Sequence, residues 1–156
     1  ITEAHLKEVE EIEQNLSTVQ GVAVLKLIKL LEEAENREQY QEELPNLYAL
    51  KGKIETLQKE VDALNEVILE ELYPFDTLSL KDKETVSNIV SRFNQLPEQD
   101  QRKILSYEDV KKSEAQIDSL SRARLIKLAV AVATGLLVIL FSWRITKRKK
   151  EKWITE

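Results

Sequence analysis

The sequence predicts an all-α protein made of tandem three-helix-type units that share a long central helix, with one C-terminal transmembrane helix after them. Three observations carry that prediction. Glycine and proline are scarce, three of each in 156 residues, whereas Glu, Lys, Leu, Gln and Ala, all good helix formers, are frequent. Apolar residues recur every three or four positions over most of the chain, the spacing that lines one face of a helix. Near the C-terminus this pattern gives way to an unbroken apolar run without charge.

The first stripe, Leu6, Val9, Ile12 and Leu16, predicts an amphipathic helix with Gly21 as the break after it. A second stripe is Val24, Leu27, Ile28, Leu31 and Ala34, with Glu32, Glu33, Glu35 and Arg37 between and after. It is expected to end by Leu44-Pro45, because the residue before a proline is biased out of the helical region. A third runs from Asn46 through Leu47, Leu50, Ile54, Leu57, Val61, Leu64 and Ile68 to Leu72. That is roughly twice the ~10–14 residues of an average globular helix, too long for one small bundle and suited to serving two.

Tyr73-Pro74-Phe75-Asp76 stops this helix. Ser79-x-x-Asp82 reads as a capping box opening the next, whose stripe is Val86, Ile89, Val90 and Phe93. Leu96-Pro97 ends it, Gln99 to Leu105 adds a short helical turn, and Ser106-x-x-Asp109 is expected to cap a last helix carrying Val110, Ile117 and Leu120. No proline or glycine separates that helix from the apolar run. The two are expected to form one helix, with Ser121 to Arg124 at the headgroup surface.

The order of elements repeats. Val24, Leu27, Ile28 and Leu31 match Val86, Ile89, Val90 and Phe93 at a constant shift of 62, and Leu47, Ile54 and Leu57 match Val110, Ile117 and Leu120 at 63. Val9, Ile12 and Leu16 match Val61, Leu64 and Ile68 at 52, the difference being taken up by the Tyr73 to Lys83 connection. Two amphipathic helices match by chance often enough; three in the same order with similarly placed breaks favour a duplicated unit. The expected organisation is a first unit over 1–57, a second over 58–120 sharing helix 46–72, a juxtamembrane stretch 121–124, a transmembrane helix 125–143 and a basic tail 144–156. Each unit alone would bury a thin core, and sharing the middle helix stiffens the pair into a rod.

The run from Leu128 to Phe141 contains no charge and, extended to Leu125 and Trp143, reaches 19 residues. At about 1.5 Å per residue this covers about 28 Å, close to the hydrocarbon thickness of a bilayer. A buried core helix of that length would normally carry a polar face, and none is visible. Lys127 lies near one end, where its stem can carry the ammonium to the headgroups, and Trp143 suits the opposite interface. Arg144, Lys147, Arg148, Lys149, Lys150 and Lys152 after the run outnumber Arg122, Arg124 and Lys127 before it. The expected orientation therefore has a cytoplasmic C-terminus and an extracellular helical region. Ala131 and Gly135 form a small-x-x-x-small pair that would let two such helices associate, although the same composition is common in lone anchors. The Lys147 to Lys152 cluster would attract anionic lipid, though a topology signal suffices to explain it.

The net charge of -5 hides two opposite regions. Residues 125–156 carry seven basic residues against two acidic, leaving sixteen against twenty-six in the first 124. An acidic region of that size repels phosphate backbones, so no nucleic-acid partner is expected. Cysteine is absent, which excludes disulfides, thiol catalysis and zinc-thiolate sites. The chain begins at Ile1 without a basic or apolar leader, and reads as a processed product or the C-terminal part of something longer.

Catalysis needs a base, a nucleophile or a metal cluster in a concave site, and the inventory is thin. His5 is the sole histidine and is expected to be solvated or partly packed. Glu8, Glu10, Glu11 and Glu13 fall on outward faces, where no burial shifts a pKa for acid/base work. No glycine-rich phosphate loop, calcium loop or zinc spacing occurs, so no enzyme activity, cofactor or metal is expected. Tyr40, Tyr48, Tyr73, Phe75, Phe93 and Tyr107 lie near element ends, where aromatic side chains seal small helical cores.

Residues 78–120 read Leu-Ser-Leu-Lys-Asp-Lys-Glu-Thr-Val, then Arg-Phe-Asn-Gln-Leu-Pro-Glu-Gln-Asp-Gln-Arg-Lys-Ile, then Ser-Tyr-Glu-Asp-Val-Lys-Lys-Ser-Glu-Ala-Gln-Ile-Asp-Ser-Leu. This stretch resembles the small helical repeat modules, of the FIVAR type, of Gram-positive surface proteins. Their pattern has an apolar-Asp start, an aromatic-x-x-Leu before a Gln/Lys-rich turn, and a Leu-x-x-Ala-Glu-x-x-Ile-like final helix. Ser113-Glu114-Ala115 departs from it, and the first unit fits poorly around Tyr40 to Asn46. The resemblance implies core positions at Val86, Phe93, Leu96, Ile104, Val110 and Ile117, and a cell-surface spacer or adhesion role. No Leu-Pro-x-Thr-Gly sorting signal precedes the apolar run, which is therefore expected to stay in the membrane.

The function expected from these readings is a membrane-proximal helical stalk, its partner the lipid bilayer, projecting an N-terminal region from the cell surface. Two alternatives stay open: an adhesion module for an extracellular protein or wall glycan, and a tail-anchored cytosolic coiled-coil adaptor.

Overall fold

The computed structural model describes the backbone of residues 1–154 and the side chains of residues 1–145, and among these no strand occurs. Helix α1 (Glu3–Gln14) starts where the Thr2 amide donates to Nδ1 of His5 at 3.1 Å. His5 is half-buried and closes the helix start, a role that its sequence position alone does not suggest.

The chain breaks at Asn15–Ser17 and re-enters helix through a 3₁₀ turn, Thr18–Gln20, that runs into α2 (Gly21–Glu32). Gly21, expected to be the break, is instead the first residue of α2, with φ -52°. The turn is made by polar capping: the Ser17 amide donates to Oε1 of Gln20 at 2.8 Å, so no left-handed residue is required.

Leu44-Pro45 does not lie outside helix as expected. After α2 ends at Glu32 and a 3₁₀ turn spans Arg37–Tyr40, α3 (Glu43–Val67) begins two residues before the proline. Amides of the first helical turn have no intrahelical partner, so a proline there removes nothing, which is why the expected start at Asn46 came too late. A π-helical turn, Ile68–Leu72, completes α3, and the break at Tyr73-Pro74 falls where expected.

Two hydrophobic cores lie along α3. The first is formed by Val9 and Ile12 of α1, Val24, Leu27, Ile28 and Leu31 of α2, and Leu47, Leu50 and Ile54 of α3. The second is formed by Val61, Leu64, Ile68 and Leu72 from the rest of α3 and its extension, Val86, Ile89, Val90 and Phe93 of α4 (Lys83–Gln95), and Val110 and Ile117 of α6 (Tyr107–Ile154). Of the apolar stripe residues, Leu6, Leu16, Ala34, Leu57 and Leu120 are half-buried and the others are buried. Each such aliphatic or aromatic side chain contributes about 1.5–3 kcal/mol relative to exposure. One stripe spaced by three and four keeps a single face of α3 turned inward along both cores.

The connection from α4 to α6 contains α5 (Glu98–Gln101), the expected helical turn. The Ser79 box that precedes α4 is formed: the Ser79 amide donates to Oδ2 of Asp82 at 2.7 Å and its hydroxyl to the same atom at 2.9 Å. Ser106 precedes α6 as expected but in a left-handed conformation, φ 56°, and the Asp109 and Val110 amides donate to its carbonyl at 2.8 and 2.9 Å. Asn65 of α3 explains the departure. Its side chain accepts from the Leu105 amide at 2.7 Å and donates to the Lys103 carbonyl at 3.3 Å, which steers the loop into α6 through a left-handed residue.

Phe93 and Tyr107 meet with ring centroids 5.6 Å apart, and Tyr40 and Phe75 pack half-buried on the two cores. Tyr48 and Tyr73, also expected to seal cores, are exposed instead. Tyr48 lies on the outer side of α3, where its hydroxyl donates to Oε1 of Glu32 at 2.7 Å.

Candidate functional site

Two features stand out: the uncovered half of α6 and a polar junction between the two cores. Val110, Ser113 and Ile117 of α6 are buried in the second core and Leu120 is half-buried. From Arg122 to Ile145 every side chain is exposed. Leu125, Leu128, Leu137, Phe141 and Trp143 project on different sides of the helix, with Phe141 at 69% and Trp143 at 65% exposure. A core helix of this composition would be covered, and none of this segment is. Among the described residues one helix is long and apolar enough to cross a membrane.

The two hydroxyl side chains of the segment bond back onto their own helix. Thr134 Oγ1 donates to the Val130 carbonyl and Ser142 Oγ to the Val138 carbonyl, each at 2.7 Å. Both hydroxyls are thereby satisfied within the helix, as hydrocarbon requires. Gly135 has open space around the position a Cβ would take, so packing within the chain places no demand on it.

Arg122, Arg124 and Lys127 at one end and Arg144 at the other are exposed. The side chains of Lys147, Arg148, Lys149, Lys150 and Lys152 lie outside the described residues; their backbone continues α6. From Leu120, the last residue touching the core, to Leu125 is five residues of unbroken helix, about 7.5 Å. The second unit is therefore joined to the apolar segment with no flexible linker.

The polar junction was not foreseen from sequence. Thr18, opening the turn before α2, donates its amide to both carboxylate oxygens of Asp100 in α5 at 3.1 Å and its hydroxyl to Oδ1. Ser17 Oγ donates to Oε1 of Gln99 at 2.9 Å, and Lys103 Nζ donates to Thr18 Oγ1. Asp100 and Ser17 are 0% and 1% exposed. A carboxylate from the second unit thus caps a helix start in the first, where unpaired amides and the helix dipole favour an anion. In sequence, Asp100 reads as an ordinary exposed acid in a first helical turn; only the approach of Thr18 from 82 positions away buries it.

Among the described residues no group of three or more His, Asp or Glu could hold a metal ion, and Glu8, Glu10, Glu11 and Glu13 are exposed. An open depression beside α4 is lined by Lys81, Lys83, Glu84, Ser87 and Asn88. No protein-family model matches the chain, and neither the curated proteins nor the solved structures contain a match.

Proposed function

We propose that this chain is a membrane-anchored, non-catalytic helical stalk that projects an N-terminal region from a cell surface. The observation that carries the reading is the continuity of α6: one helix leaves a packed core at Leu120 and five residues later begins an apolar segment that none of the described residues covers. A linker-free joint transmits position from bilayer to bundle, which is what a spacer needs. The basic residues concentrated after Trp143 favour a cytoplasmic C-terminus with both cores outside. The spacing repeated at shifts of 62 and 63 residues supports reading the two units as copies of one module, and the similarity to FIVAR-type modules supports a Gram-positive cell surface.

Protease shaving of intact cells tests the reading. Digestion of the α1–α5 region with protection of the apolar segment is expected; complete protection of that region would instead favour the tail-anchored cytosolic adaptor. Exposed Val19, Val22 and Leu25 on the outer side of the first unit favour, as a second reading, an adhesion surface for an extracellular protein or glycan. A pulldown with the full chain in detergent separates this from a pure spacer, which retains no partner.

A further inference from the structure

We propose that residues 52–57 of α3 form a hinge between the two units and that the Thr18–Asp100 junction is the lock that holds it closed. The proposal concerns the joint alone and stands whether or not the apolar helix lies in a bilayer.

Between Ile54, the last residue of the first core, and Val61 in the second, only Leu57 on the inward face packs against a core, and it is half-buried. Over these two turns no residue of α3 belongs to the first core, and the half-buried Leu57 and the Glu60–Arg92 ion pair at 2.7 Å tie α3 to the second unit alone. Gly52 stands at the start of this stretch, exposed, with nothing within 4 Å of the position a Cβ would occupy. Alanine would fit there, and glycine weakens a helix interior relative to alanine, so neither packing nor helix stability accounts for the residue. One turn later Thr56 Oγ1 donates to the Gly52 carbonyl at 2.9 Å, the back-bonding pattern that bends helices. An open groove lined by Leu16, Ala49, Gly52, Lys53, Thr56 and Leu57 runs along the same stretch and leaves open space for a bend toward it.

Were α3 the sole connection, the units could swing about this stretch. The second connection is the hydrogen-bonded junction of Ser17 and Thr18 with Gln99, Asp100 and Lys103, in which Ser17 and Asp100 are buried, Thr18 is half-buried and Gln99 and Lys103 are exposed. Its chemistry suits a lock that can open. An apolar seam would resist water throughout, whereas these groups exchange protein hydrogen bonds for water ones at small net change once separated. Closed, the pair of connections fixes both bend and twist; open, only the weak stretch of α3 remains.

The test uses the full chain in detergent. The sequence has no cysteine, so Lys26→Cys on α2 and Ser87→Cys on α4, both exposed, place one spin label on each unit for a pulsed-EPR distance measurement. A single narrow distance peak is expected for the parent. Asp100→Ala should broaden it with helical circular dichroism retained, and Gly52→Ala added to Asp100→Ala should narrow it again. If Asp100→Ala loses helicity, Thr18→Val, which removes only the bridging hydroxyl, should broaden the peak. A peak as narrow as the parent's in a folded Asp100→Ala or Thr18→Val chain overturns the lock. A broadened peak that Gly52→Ala leaves unchanged overturns the hinge.

Discussion

The Thr18 amide donates to both oxygens of the Asp100 carboxylate at 3.1 Å, across 82 positions of sequence. This pair ties the start of α2 in the first unit to α5 in the second, and it places a negative charge where the helix start presents unpaired donors.

Removing the carboxylate should leave the Thr18 amide and hydroxyl without their acceptor in a closed site. Asp100→Ala is therefore expected to destabilise the bundle by about 1–3 kcal/mol. Chemical denaturation of the full chain in detergent, followed by circular dichroism, reads this directly. An unchanged midpoint would mean that water reaches the site freely.

Ser106 is held at φ 56°, a left-handed conformation that costs a residue with a Cβ roughly 1–2 kcal/mol and glycine little. Since Asn65 fixes the loop in place, Ser106→Gly should relax the strain without moving α6, raising stability by up to about 1 kcal/mol after glycine's larger unfolded-state entropy is deducted. A drop in melting temperature would show that this backbone conformation is not maintained in solution.

The Asp82 carboxyl is held below the usual carboxylate range by the Ser79 amide first and the Ser79 hydroxyl second. For a depressed acid, the stabilising contribution is present above the unfolded value, about 3.9, and is lost as pH falls through the folded one. The parent should thus be more stable than Asp82→Asn at pH 7, and the gap should close under acid. Paired denaturation curves at neutral and acid pH measure it; a gap that widens on acidification would reverse the assigned sign.

Leu136 lies near the middle of the 125–143 segment and is 56% exposed. Placing arginine there should cost about 2.5–3.5 kcal/mol of insertion free energy while leaving both cores intact. Liposome flotation of Leu136→Arg against the parent is the check, with the variant expected in the unbound fraction more often. Equal flotation would argue that the segment does not enter hydrocarbon.

The periodic stripes were legible because a helix buries the same face wherever it packs. Val24, Leu27 and Leu31, or Val86, Ile89 and Phe93, could be assigned to cores before any partner was known, and so could the division of α3 between two bundles. Misread positions were those where a local preference met a local exception. Pro45 reads locally as a stop and sits harmlessly in a first turn; Gly21 reads as a break and is ordinary helix. Tyr48 and Tyr73 were assigned to cores by their place near element ends, yet such a place does not say which way a side chain faces.

Composition and spacing by themselves determined that the chain is helical, that α3 is long enough to serve two cores, and that residues 128–141 form a run without charge, since each of these depends on neighbours within a few turns. Tertiary structure alone decided that Asp100 would be buried and paired, that Ser106 would turn left-handed, and that none of the described residues would cover the apolar half of α6. Those outcomes depend on groups brought together from distant positions, Thr18 to Asp100 and Asn65 to Leu105, and a hydrogen bond of that kind leaves no periodic trace in the sequence.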